Sequence, residues 1–500
     1  SIAAMVGGLS GVANAQAVVT DTTGGNRLLN VGNAAALAAA GIVKNAPLTN
    51  NIPAAANQLI ASTTGIGHVL FVPYFTTQGS KATLLNLVNH DQTNGKAVKL
   101  RFRGASNSDD LFDITVYLSP GDVWSANVSA NGEVSALSTS DTSCTLPNAA
   151  QIKETAGKFS VGRVNGAAAE TREGYVEILN MADIPVNTAP ASLYTAIKHV
   201  NGVVPCGAVM NDQANALSTS PADPANWPST RGYSWPTGGL SANWTIVDVA
   251  TKASFAGEAV ALRATPTNAI DQAGAANLVF SPQTTARVDD TRSLTADPLL
   301  KTSPVTGTSV VRAASYDFPD LSTPYTAGAF VTVAGVSTPV PELQAAELAQ
   351  AIRTFSVSNE YLTTPAVNFA TDWIFSMPTR RYAVALNYGA TGPARLVQNT
   401  TPVDPTAVLT PYQRSINVPY FNNNNTSLNK EGSRICVDAG DLKAFDREEQ
   451  SRVEFVISPS EALRFCGEVS VLTFNGKPSV LDAKLTVNDI TTKFTDGWMR

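Results

Sequence analysis

From His68 onward the chain alternates short apolar runs with polar, turn-rich gaps. The runs are HVLFVPYF, ATLLNLVN, AVKLRFRG, FDITVYL and VWSANVS, separated by TTQGSK, HDQTNGK, ASNSDD and SPGD. In AVKLRFRG, Val98, Leu100 and Phe102 alternate with Lys99, Arg101 and Arg103, the period-two pattern of a strand with one face in a core and the other in water. Gaps this short, rich in Gly, Asn, Asp and Ser, suit hairpins and cannot hold a helical crossover, so the strands should pair antiparallel. Asn131-Gly132 is a further turn signal. The pattern predicts a mainly all-β protein built from antiparallel β-sandwiches of Ig-like or jelly-roll-like type.

One tetrapeptide occurs twice, VPYF at Val72–Phe75 and again at Val418–Phe421. Downstream of each comes an apolar strand, a Ser-Pro and an acid, in VYLSPGDVW (Val116–Trp124) and FVISPSEAL (Phe455–Leu463), and then an Asn-Gly, Asn131-Gly132 and Asn475-Gly476. The shared order predicts two related sandwich units, residues 62–185 and 356–500. Pro73 and Pro419 cannot donate a ladder hydrogen bond, so VPYF belongs at a strand edge or a bulge. Between the units, residues 186–355 are rich in Pro, Ala, Thr and Ser, yet keep strand-like runs such as NWTIVDVA, EAVALRA, NLVFS and GAFVTVAG. We read a looped β-rich insertion that ends in a helix, PELQAAELAQAIRTF. Shorter helices are expected at AAALAAAGIV and SLYTAIKHV. Residues 16–61 form an N-terminal arm, suited to adding a strand to a neighbour.

Residues 1–15 change the picture of where such a protein works. They form a stretch of small apolar residues ending in Ala13-Asn14-Ala15, as in the end of a secretory signal peptide, with Gln16 as the expected mature start. No later segment is long and apolar enough for a membrane helix. Four cysteines, Cys144, Cys206, Cys436 and Cys466, fit an exported chain and include no C-x-x-C pair. Three pairings are open, and the sequence-local one, Cys144 with Cys206 and Cys436 with Cys466, is favoured because each bond then staples one region. Charged residues make up only 15% of the chain, far below the usual quarter, and Ser, Thr, Asn and Ala fill the gap. A surface of hydroxyls and amides suits packing against copies of itself or against glycans. A net charge of -6 without a Lys/Arg block excludes a nucleic-acid partner.

Candidate chemistry is sparse. His68, His90 and His199 fall at a strand start, in a turn and near a helix end, and no nucleophile elbow, zinc motif or P-loop occurs, so no enzyme is expected. Calcium is the one cofactor considered, at SNSDD with Asp109 and Asp110 and at VDAGDLKAFD with Asp438, Asp441 and Asp446. Trp227 and Trp235, in Pro-rich loops, are the candidates for stacking on a sugar ring.

The leader, VPYF before TLLNLVN, LSPGDVW, and TDWIFSMPTRR (Thr371–Arg381) together resemble uncharacterised exported proteins of Gram-negative bacteria, some of them surface or surface-layer components. The resemblance implies a bacterial cell-surface or extracellular location and no catalytic residue. The functional expectation is an exported structural protein that assembles with itself into a layer or filament. The alternative is a carbohydrate-binding or adhesive module.

Overall fold

The computed structural model describes residues 56, 58–164, 167–207, 232–265, 301–302, 309–310, 330–333, 336–339, 341–354, 356–364, 370–382, 384–388, 390–398, 421, 425–438, 443–448 and 464–500. The expected leader, the helix at AAALAAAGIV, the strand NLVFS, Val418–Tyr420 and Ser458-Pro459 lie outside them.

The protein is mostly β-structure in several sheets. β1 (Gln58–Ala61), β2 (Val69–Thr76), β3 (Lys81–Asn89), β4 (Gly95–Gly104), β5 (Asp110–Leu118), β6 (Val123–Asn131), β7 (Val134–Ser138), β8 (Cys144–Leu146), β9 (Glu173–Ile184), β10 (Leu240–Asp248), β11 (Ser254–Glu258) and β12 (Val260–Thr265) make one sandwich. Its seven-stranded sheet runs β1-β12-β2-β9-β4-β5-β8 and its five-stranded sheet β11-β10-β3-β6-β7, with every pairing antiparallel. The alternation read from the sequence places the inner side chains: Val72 and Phe75, Leu85 and Leu87, Val98, Leu100 and Phe102, and Trp124 all enter one core. Phe75, Phe102, Phe112 and Phe159 meet there ring to ring. Burying each such side chain contributes roughly 1.5–3 kcal/mol. Pro73 sits where the β2–β9 register shifts between Val72 and Phe75, so the missing donor falls at a bulge.

The sandwich reaches past residues 62–185. It takes β1 from the expected arm and β10–β12 from the expected insertion, and β10 lies between β11 and β3 inside the five-stranded sheet. Helix α1 (Ala149–Thr155), which the apolar pattern did not announce, starts on a reciprocal capping box between Asn148 and Gln151. Helix α2 (Leu193–Ile197) starts on Ser192, and α3 (Pro341–Ile352) is the expected helix.

Two-stranded ladders join β13 (Lys301–Thr302) to β14 (Ser309–Val310) and β15 (Phe330–Val333) to β16 (Val336–Pro339). Beyond α3 lie β17 (Asn359–Leu362), β18 (Trp373–Ser376), β19 (Val384–Leu386), β20 (Leu396–Gln398), β21 (Thr426–Leu428), β22 (Ile435–Asp438), β23 (Ala444–Phe445), β24 (Arg464–Cys466), β25 (Val469–Phe474), β26 (Val487–Ile490) and β27 (Asp496–Met499). They form the small sheets β17-β27-β23, β18-β25-β26 and β21-β22-β24, plus the pair β19-β20; β25 and β26 run parallel. The two disulfides follow the sequence-local pairing: Cys144–Cys206 ties β8 to the segment after α2, and Cys436–Cys466 joins register partners on β22 and β24. Among the described residues no helix is long and apolar enough to cross a membrane.

Candidate functional site

The two outer faces of the sandwich have opposite characters. On the seven-stranded sheet, Lys99, Arg101 and Arg103 of β4 were expected in water, and this is corrected: all three are fully buried. The reason is that the C-terminal strands cover the face. Val469, Val471, Leu481 and Ala483 close over Val69, Phe71, Tyr175 and Leu179 in a second core, which Leu348 of α3 also joins. Beside it the charged residues sort into pairs. The β5–β4–β9 registers align Asp113, Arg101 and Glu177 in one row. Arg101 Nε stands 3.5 Å from Asp113, and Arg103 Nε 3.4 Å from Glu177.

The 3-10 turn Arg380–Tyr382 supplies the other half of this belt. Arg381 donates to Glu177 at 2.9 Å, and Arg380 Nε meets Glu468 at 2.6 Å. Arg380 Nη1 donates to the carbonyls of Ile435 and Gly467, each at 2.7 Å, and Nη2 to the Ser106 carbonyl at 3.5 Å. The backbone amides of Glu468 and Val469 both donate to the Ala105 carbonyl, at 2.6 and 3.0 Å. Gly467 permits that approach: a Cβ there would meet the Ala105 carbonyl oxygen at 2.8 Å. Burial pushes the Glu468 carboxyl up despite Arg380 and Arg381, and pushes Arg380 down despite Glu468. Burial likewise raises Asp113, helped by Asp110 and opposed by Arg101. Such pairs repay their desolvation only when geometry is good, so the belt fixes where the C-terminal strands dock more than it adds net stability.

The five-stranded sheet is the reverse. Leu85, Leu87, Trp124, Ala126, Leu240 and Ala242 point into the core, so the residues between them point out. Outward positions carry Leu84, Asn86 and Val88 on β3, Val123, Ser125 and Asn127 on β6, Ser241, Asn243 and Thr245 on β10, and Ala256 and Glu258 on β11. Glu258 alone is ionisable among the outward residues of these five strands. Leu84 is 40% exposed and Val123 46%, large values for aliphatic side chains on a sheet face. Ser125 donates to Asn86 and Asn86 to Asn243, both at 2.8 Å, so a row of amides and hydroxyls runs across β6, β3 and β10. With strands about 4.8 Å apart and a rise of about 3.4 Å per residue, the face spans on the order of 600 Å².

The calcium candidates do not converge. Asp109 and Asp110 are buried, and Asp109 accepts from the Tyr388 hydroxyl at 2.6 Å, which makes it part of the docking belt. Asp438 pairs with Arg464 at 3.3 Å, Asp446 accepts the Glu448 amide, and Asp441 lies outside the described residues. Among the described residues no three His, Cys, Asp or Glu side chains gather as metal ligands. Trp235 is 39% exposed beside the Asp183–Ser234 bridge, and Trp227 lies outside the described residues. His68 is buried: its Nδ1 accepts the Ala264 amide, so Nε2 carries the proton and donates to the Pro236 carbonyl. Arg380 and Arg381 stand in the stretch TDWIFSMPTRR, but nothing local to that stretch names Glu468 and Glu177 as partners.

Compared with protein families, curated proteins and solved structures, the chain matches none.

Proposed function

We propose that this protein is an exported structural protein of the bacterial cell surface, assembling with copies of itself into a layer or filament through the outer face of β11-β10-β3-β6-β7. The neutral face carries the reading. An open sheet face with exposed Leu84 and Val123, a single ionisable side chain on its strands, and His90 and Asp141 at its margin on Ser241 and Ser125, has little charge to desolvate and many groups to pair. Its area, of order 600 Å², approaches the roughly 800 Å² per partner of a standard stable interface, and the exposed edge strand β11 extends it. Two disulfides support an oxidising, extracellular setting.

The test is light scattering on the full chain over a range of concentrations, with and without calcium. Wild type should form oligomers, and Leu84→Glu with Ser125→Lys should return it to monomer while leaving its circular dichroism unchanged. A wild type that stays monomeric throughout sinks the reading. The second reading, a glycan-binding module, is favoured by the part-exposed Trp235 ring; it predicts glycan-array binding that is lost in Trp235→Ala.

A further inference from the structure

At one end of the sandwich a lysine and an aspartate face each other away from water. Lys96 on β4 and Asp183 on β9 are register partners, and their side chains are 0% and 1% exposed. Lys96 Nζ lies 2.5 Å from Asp183 Oδ1. A second carboxylate is at hand, with Asp91 Oδ2 3.4 Å from the same nitrogen. The other oxygen of Asp183 takes two donors from one residue, the Thr237 hydroxyl at 2.6 Å and the Thr237 amide at 3.2 Å. The loop bearing Thr237 is pinned by paired backbone hydrogen bonds between Asp183 and Ser234.

We propose that Lys96 and Asp183 condense into an intramolecular isopeptide bond, with Asp91 carrying the proton and Thr237 holding the acyl oxygen. The ammonium gives a proton to Oδ1 of Asp183, 2.5 Å away, leaving a neutral amine beside a neutral acid. The freed amine attacks Cγ of Asp183, and charge gathers on Oδ2, where the two Thr237 donors stabilise it as an oxyanion hole does. Asp91 takes a second proton from the nitrogen and passes it to Oδ1, which departs as water. One N–C bond forms, one C–O bond breaks, and ammonium plus carboxylate become amide plus water with nothing else consumed. Fixed neighbours on adjacent strands supply the proximity that makes amide formation feasible where free amines and acids do not react. Burial holds the Asp183 carboxyl above the usual carboxylate range, against the pull of Lys96, which favours its acid form.

A second lysine shows why this site is particular. Lys81 and Asp248 are also register partners, 3.2 Å apart, and Asp482, 43% exposed and on no strand, lies 2.5 Å from the same nitrogen. There the Ser80 hydroxyl and Thr251 outweigh burial and keep Asp248 ionised, a poor electrophile.

The test is mass spectrometry of the full-length wild type after reduction of its disulfides, with peptide mapping. The expected result is a mass lower by one water and a branched peptide joining the segments of Lys96 and Asp183. Lys96→Arg should restore the full mass, and Thr237→Val should slow bond formation at least tenfold in a refolding time course. A wild type at full mass, with Lys96 recovered in a linear peptide, overturns the proposal. So does a missing water traced to any other pair. The decisive readout needs no variant to fold.

Discussion

Replacing Arg380 by Met removes the cation that fastens the C-terminal strands to the sandwich. The side chain is 1% exposed, and its partner Glu468 is fully buried. Deleting one member of a buried ion pair costs about 3–5 kcal/mol, because the other is left charged or must take up a proton. The carbonyls of Ile435 and Gly467 lose their 2.7 Å donors in the same step; Ile435 keeps the Gly467 amide, while the stranded Gly467 acceptor adds about 1 kcal/mol or more. A total near 5 kcal/mol would be a third or more of the stability of an ordinary domain. Glu468 is already displaced upward by burial, so without Arg380 it should bind a proton more readily still. The loss should therefore be smaller at pH 5 than at pH 8. The double variant Arg380→Met with Glu468→Leu replaces both charges by apolar groups and should recover about 2–4 kcal/mol of the sum of the single losses. Equilibrium urea denaturation of the four proteins at both pH values, followed by tryptophan fluorescence, measures each quantity. A loss below about 1 kcal/mol in the single variant, or strict additivity in the double, would refute the docking role given to this pair.

Thermal stability should hold or rise as pH falls from 7 toward 4.5. Burial raises Glu173, Asp372 and Glu468 in the folded state, so between the ordinary carboxylate value, about 4, and their raised values the folded chain binds more protons than the unfolded one. Asp248 is lowered by its hydrogen bonds from Ser80 and Thr251, and Asp91 is lowered by hydrogen bonds from Asn94 and Thr93 that outweigh its burial; both give up their contribution only below the ordinary value. A calorimetric midpoint that falls steadily from pH 7 to 4.5 would contradict this. Gly174→Ala should cost roughly 3 kcal/mol or more, since the new Cβ would lie 1.8 Å from the Arg103 carbonyl oxygen and 2.7 Å from the Phe75 ring. Gly132→Ala meets no atom but sits at φ +64°, so thermal melts should show a loss of only about 1 kcal/mol.

The strands that build the sandwich were legible because period two is a local property: HVLFVPYF, ATLLNLVN, AVKLRFRG, FDITVYL and VWSANVS lie in β2 to β6. The bulge at Pro73 was legible for the same reason, since a missing N–H is written into the residue. What covers a face is not local. The sequence of β4 tells that Arg101 and Arg103 point away from Phe102, but Arg381, which shares Glu177 with Arg103, lies more than 250 residues further along. Alternation therefore reads as core and water when the outcome is core and second interface. The extent of the sandwich was missed likewise: β10 carries an ordinary strand pattern, and only the register Leu240↔Asn89 to Asp248↔Lys81 assigns it to β3. Low charge in the composition pointed to a weakly ionised surface somewhere, while the topology gathers it on one sheet. Asn148 and Gln151 spell a capping box that would have announced α1.

The insertion of β10 between β11 and β3 sets a timetable for the nascent chain. Until residue 248 has been made, β3 presents a bare ladder of amides and carbonyls on the side away from β6. During that interval β10 of another molecule fits the vacancy as well as the strand still to come. A high local concentration of emerging chains would thus favour exchanged strands between molecules, and dilution would favour each chain closing on itself.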